Sequence, residues 1–74
     1  MRYNTIVTGF SNKNNNGLIV LTDTWQPTLE TARRQLEDFT DESEYFTPVR
    51  GLVIDWSGDT KIVLELKQGE ITQI

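Results

Sequence analysis

The chain contains no cysteine and no histidine. The first absence removes disulfide frameworks, thiolate nucleophiles and cysteine-built zinc sites. The second removes the imidazole on which nucleophile–base triads depend, and the side chain best placed for proton transfer near neutral pH. Long apolar runs are missing too. The longest, Leu18-Ile19-Val20-Leu21, has four residues, against the ~20 that a membrane-spanning helix needs. Met1-Arg2-Tyr3-Asn4-Thr5 mixes apolar and polar residues and does not read as a signal-peptide core. A cytoplasmic protein is the expectation. Positive charge is scarce: Lys and Arg total 7 against 11 Asp and Glu, a net charge of −4. Affinity for nucleic acid rests mainly on cations, so direct nucleic-acid binding is not expected. The five glycines are scattered singly and form no phosphate-cradling loop.

With 74 residues, one small domain is expected, burying only about 60% of its extended-chain surface. Such a domain has little room for a catalytic cleft of roughly 300–1,000 Å³. A non-enzymatic role follows, with no cofactor and no metal.

What is present reads as β-β-α-β-β-β. Residues 3–10 alternate as a strand, with Ile6, Thr8 and Phe10 on one face and Thr5 and Val7 on the other. Residues 11–17 are rich in Asn and end in Asn16-Gly17, a turn signal. The apolar run in residues 18–22 predicts a second strand covered on both faces. Residues 23–27 read as a break, with Pro27 placed for the first turn of a helix. Leu29, Ala32, Leu36 and Phe39 then form one apolar stripe, and the helix is expected to end near Phe39 or Thr40. Glu30 with Arg34, Arg33 with Glu37, and Arg34 with Asp38 are candidate i,i+4 pairs.

After a loop over 41–48, residues 49–56 read as a third strand. Leu52, Ile54 and Trp56 share one face; Val49, Gly51 and Val53 share the other. Residues 57–60 make a tight turn. Residues 61–67 alternate Ile62, Leu64 and Leu66 with Lys61, Glu65 and Lys67, with Val63 on the outer face. Gln68-Gly69 closes a last hairpin onto residues 70–74, the strand expected at the sheet edge. The fold class is therefore α+β: an antiparallel sheet of four to five strands with one amphipathic helix on one face. The helix stripe is expected to pack on Leu52, Ile54, Ile62, Leu64 and Leu66.

The unusual feature is a run of acids. Residues 37–44 read Glu-Asp-Phe-Thr-Asp-Glu-Ser-Glu, with Glu37, Asp38, Asp41, Glu42 and Glu44 and no base. The run starts at the helix C-terminus, where the macrodipole disfavours negative charge. It reads either as a docking surface for a basic partner or as a solvated loop that maintains solubility. Asp41, Glu42 and Glu44 are oxygen ligands of the type Ca²⁺ takes, but the spacing lacks the D-x-[DN]-x-[DN]-G loop pattern. Among the aromatics, Trp56 is expected in the core, and Tyr45-Phe46 are candidates to fold back onto it. Trp25, between polar positions and Pro27, is the contact candidate. The Asn-rich loop 11–16 could reach a partner, although a tolerant surface loop is the commoner case.

In size, acidity and element order the chain resembles small phage-encoded host-takeover and anti-defence proteins, anti-CRISPR proteins among them. The resemblance implies a non-catalytic inhibitor in the host cytoplasm that occludes a binding surface; it assigns no role to any residue. The function expected from sequence is a monomeric or weakly dimeric binding protein. Its acidic residues and Trp25 would meet a basic, nucleic-acid-handling surface of a larger protein or ribonucleoprotein complex. The alternative is a small assembly module that homo-oligomerises through a sheet edge.

Overall fold

A computed structural model describes residues 1–13 and 17–74; Asn14, Asn15 and Asn16, and with them the Asn-Gly turn signal, lie outside the described residues. The elements are β1 (Tyr3–Ser11), β2 (Leu18–Gln26), α1 (Leu29–Glu37), β3 (Phe46–Asp55), β4 (Lys61–Lys67) and β5 (Glu70–Gln73). They form one antiparallel five-stranded sheet in the order β2-β1-β3-β4-β5, with one short helix. This is the α+β order read from the sequence. β1 lies inside the sheet, between β2 and β3, so the two edges are β2 and β5. The β4–β5 turn carries positive φ at both Gln68 (53°) and Gly69 (78°), as a two-residue hairpin turn of the primed type requires.

α1 starts at Thr28, whose hydroxyl accepts from the Thr31 amide at 3.2 Å. Pro27 sits one residue before this cap, not in the first turn. The helix ends earlier than its stripe implies. Asp38 is the C-cap, and the Phe39 and Thr40 amides bond back to Leu36 O and Glu37 O, three residues behind, in a tightened last turn. Ala32 and Leu36 are fully buried, while Leu29 is 36% exposed. Phe39 packs at the core margin, its ring centroid 5.2 Å from that of Phe46.

The helix covers the sheet face formed by Tyr3, Thr5, Val7 and Gly9 of β1, Gly51, Val53 and Asp55 of β3, and Leu64 and Leu66 of β4, all buried. The expected packing is right for Leu64 and Leu66 and reversed for β3. Leu52, Ile54 and Trp56 point away from α1, although they are the larger apolar set. The reason is space: a Cβ built on Gly51 would stand 2.5 Å from Leu36 Cδ1. The helix therefore seats on the strand row that has a glycine to receive Leu36. A bulge corrects β4 as well. The register steps from Val53↔Leu64 to Ile54↔Ile62, leaving Val63 as the extra residue. Val63 packs against the core, and Ile62 turns to the opposite face, 38% exposed.

β2 does not break after Thr22 but continues through Asp23, Thr24 and Trp25 to Gln26. Its last residues are polar because the core there is polar. The Thr5 hydroxyl lies 2.9 Å from Gln26 Oε1, and Gln26 Nε2 donates to Thr24 Oγ1 at 2.6 Å. Among the described residues no buried side-chain donor or acceptor lacks a partner. At the other end of β2 the expectation of a strand covered on both faces fails. Leu18, Ile19 and Val20 are 60%, 42% and 59% exposed, because β2 is an edge. Only Leu21, the extra residue at the Val7/Thr8 register shift, reaches the core.

Candidate protein-binding surfaces

The acidic run leaves the end of α1 and forms the loop leading into β3. Its backbone is held at several points. The Ser43 hydroxyl accepts from the Tyr45 and Phe46 amides at 3.1 and 3.3 Å, and the Ser43 amide donates to Phe46 O at 3.0 Å. Asn12, just past β1, clamps the loop from outside. Its amide donates to Tyr45 O (3.0 Å), its Nδ2 donates to Ser43 O (2.9 Å), and its Oδ1 accepts from Thr47 Oγ1 (2.9 Å). One asparagine of the polar loop is thus a structural anchor for the acidic one.

The carboxylates themselves point outward. Glu37 lies 3.6 Å from Arg33, and Glu42 Oε2 lies 3.4 Å from the Thr47 hydroxyl. The expected Arg34–Asp38 pair is not made, since Arg34 pairs with Glu30 at 2.9 Å. Among the described residues, Asp38, Asp41, Glu42 and Glu44 form no ion pair, and all four are exposed. Four acidic side chains therefore project from the stretch between the α1 C-cap at Asp38 and the hydrogen-bonded turn at 43–47.

Trp25 is not part of this lobe. It pairs with Asn4 near the start of β1, whereas the acidic loop is clamped at Asn12. Eight residues of strand, about 26 Å, separate them. Trp25 instead meets Trp56, with ring centroids 5.7 Å apart at 42°. Trp56 is not a core residue: it is 49% exposed, and Trp25 is 47% exposed. Both lie on the sheet face away from α1. Tyr45 is exposed and only Phe46 folds back.

Sequence reasoning missed an ion pair at the same end. Arg2 Nε and Nη2 donate to the two oxygens of Asp55 at 2.9 and 2.8 Å, and the Ser57 amide and hydroxyl donate to Asp55 Oδ1 at 2.9 and 2.8 Å. The partners stand 53 positions apart. The available signal was a charged residue inside an apolar strand, Leu-Val-Ile-Asp-Trp at 52–56, which the face assignment put on the wrong side. The Arg2 hydrogen bonds, followed by that of the Ser57 amide, hold the Asp55 carboxyl well below the usual carboxylate range. A lowered folded-state pKa stabilises the fold above the unfolded pKa of about 4 and is lost as pH falls below it. The melting temperature of the wild type should therefore fall more steeply than that of Asp55→Asn from about pH 5 downward, with most of the divergence below about pH 4. Parallel curves for the two proteins would remove this role.

A shallow open cleft of about 300 Å³ lies between β4 and β5, lined by Glu65, Lys67, Gln68, Glu70 and Thr72. Among the described residues no three acidic side chains converge as metal ligands, and no helix is long and apolar enough to cross a membrane. No protein-family model matches the chain, and no curated protein or solved structure matches it.

Proposed function

We propose that the chain is a non-enzymatic binding protein whose acidic lobe, Asp38, Asp41, Glu42 and Glu44 with Glu37 at its base, docks on a basic surface of a larger protein or ribonucleoprotein complex. One observation carries this reading: among the described residues four exposed carboxylates make no ion pair, and the turn that follows them is clamped by Asn12 and Ser43. A clamped loop loses little conformational freedom on binding, so its charge is available to the contact. The α1 C-terminus adds negative potential at the same place, an arrangement unfavourable for stability and useful for attracting cations. A basic surface that holds nucleic acid is the partner chemistry that fits. Occluding it in the cytoplasm is how an anti-defence inhibitor of this size and charge would act.

The test changes charge without changing shape. Asp38→Asn, Asp41→Asn, Glu42→Gln and Glu44→Gln are combined and binding is measured against a complex recovered with the wild type from host lysate. Affinity at low salt should fall at least about tenfold, or 1.4 kcal/mol. Wild-type affinity should decline with ionic strength as charges are screened over about 8–10 Å, while the variant stays flat. Asn12→Ala keeps every charge and releases the clamp, so it should weaken binding without altering the salt slope. A quadruple variant that binds like wild type at every salt concentration would reduce the lobe to a solubility feature.

A further inference from the structure

The sheet face opposite α1 has no second layer. Strand register places Trp25, Asn4, Ile54 and Ile62 in one row across it, and Asp23, Ile6, Leu52 and Glu65 in the next. Trp56 follows Ile54 by two positions and its ring meets Trp25. Six apolar side chains, Trp25, Trp56, Ile6, Leu52, Ile54 and Ile62, thus occupy one end of this face, none of them fully buried. Asn4 at their centre is satisfied from within, donating to Asp23 Oδ1 at 2.7 Å and Thr24 O at 3.1 Å, so the patch asks for no polar partner there.

We propose that this face binds a second copy of the chain, the two sheets packing face to face with each α1 outside. Charge selects the occupant. The register puts three carboxylates (Asp23, Glu65, Glu70) and two cations (Arg50, Lys67) on this face. Arg50 and Glu65 are already paired at 2.7 Å. A net −1 on this side, against −4 for the chain, makes it the side where two identical acidic molecules repel least. It is also the side that attracts a basic partner least. Area points the same way. The molecule measures 38 × 19 Å across its two longest directions, loops included, so the whole sheet face offers at most about 700 Å², the lower end of the roughly 600–1,000 Å² per partner of a stable interface. The exposed β2 edge, about 30 Å of strand in a layer about 10 Å deep, offers only about 300 Å². Face-to-face packing also matches how antiparallel sheets with one covered face complete a sandwich, about 10 Å apart. Exposed tryptophans, the residues most enriched at interface hot spots, lie within it.

The chain's two tryptophans both sit on this face, so their emission reports it directly. Sedimentation equilibrium of the wild type should show a monomer–dimer equilibrium with Kd on the order of 10 μM or tighter, and tryptophan emission should shift to the blue with rising concentration. Trp56→Ser, outside the strands, and Ile62→Lys should each weaken the dimer at least about tenfold. Their circular dichroism at monomeric concentration should match wild type, and if Ile62→Lys fails to fold, Trp56→Ser carries the test alone. In Trp25→Phe the remaining Trp56 should still shift with concentration. A wild type that stays monomeric near 100 μM overturns the proposal. So does a dimer that Trp56→Ser leaves intact, or one in which Trp56 emission is constant, since either would place the contact elsewhere, as at the β2 edge. The acidic-lobe reading is independent of these outcomes.

Discussion

Leu36→Ala is expected to lower the stability of the domain by about 2–5 kcal/mol, the range for removing a buried leucine side chain and leaving its cavity. A chain of this length holds about 4–11 kcal/mol at roughly 0.05–0.15 kcal/mol per residue, so the change removes a large part of the total. α1 has nine residues, fewer than the ~12–15 below which an isolated helix is marginal. It is held in place by packing, and its two buried side chains are Ala32 and Leu36. Leu36 supplies nearly all of the volume and fills the space above Gly51. The midpoint of urea unfolding should drop sharply for Leu36→Ala and by clearly less for Leu29→Ala, whose side chain is 36% exposed. Equal midpoints for Leu36→Ala and wild type would show that the helix is not docked as described.

The second large effect is expected at Gly9. A Cβ there would collide with the Thr47 carbonyl oxygen and stand 2.9 Å from Pro48 Cα and 2.7 Å from Leu21 Cδ1. Two of those neighbours are backbone of the adjacent strand, at the register shift between Thr8 and Gly9. A leucine tip can rotate away; a paired strand cannot without losing ladder bonds. Overpacking of this kind costs about 1–3 kcal/mol and more where backbone must move, so Gly9→Ala should lie at or above the top of that range. Gly58→Ala is the control. Gly58 has φ +58° and nothing within 4 Å of its added Cβ, so that variant should lose only the ~1–2 kcal/mol of a left-handed backbone. If thermal unfolding ranks the two the other way, the β1–β3 approach is looser than described.

The element order and the α+β architecture were legible because turns and apolar periodicity are written locally. Gln68-Gly69, the 57–60 turn and the Leu29–Leu36 stripe each need only their neighbours. The facing of β3 was not legible. Residues 51–54 carry no polar side chain on either side, and the decision between the two faces was made by a contact 15 positions away, where Leu36 needs Gly51. The β4 bulge hid Ile62 for the same kind of reason, since an extra residue changes the phase of a strand without changing its composition. β2 was cut short because Thr24 and Gln26 look like loop residues until Thr5 is placed opposite them. Of the candidate site, the acidic run was plain in the sequence. Its anchoring by Asn12 and its separation from Trp25 were not, because both depend on which end of β1 each segment meets.

The interior position of β1 has a consequence during synthesis. β1 can pair with β2 as soon as both have left the ribosome, but its other edge stays bare until β3 arrives. Asp55, the partner of Tyr3, follows Gln26, the end of β2, by 29 positions, so at about 5–20 residues per second the wait lasts roughly 1.5–6 s. Through that interval the nascent hairpin shows two unpaired edges, and Leu18, Ile19 and Val20 lie beside one of them. Closing the β1–β3 ladder then joins residues 35 to 52 positions apart, and sheets dominated by such distant pairings fold in milliseconds to seconds. The period of greatest exposure to wrong pairing is thus set by the order in which the strands are made, and a more stable finished sheet would not shorten it.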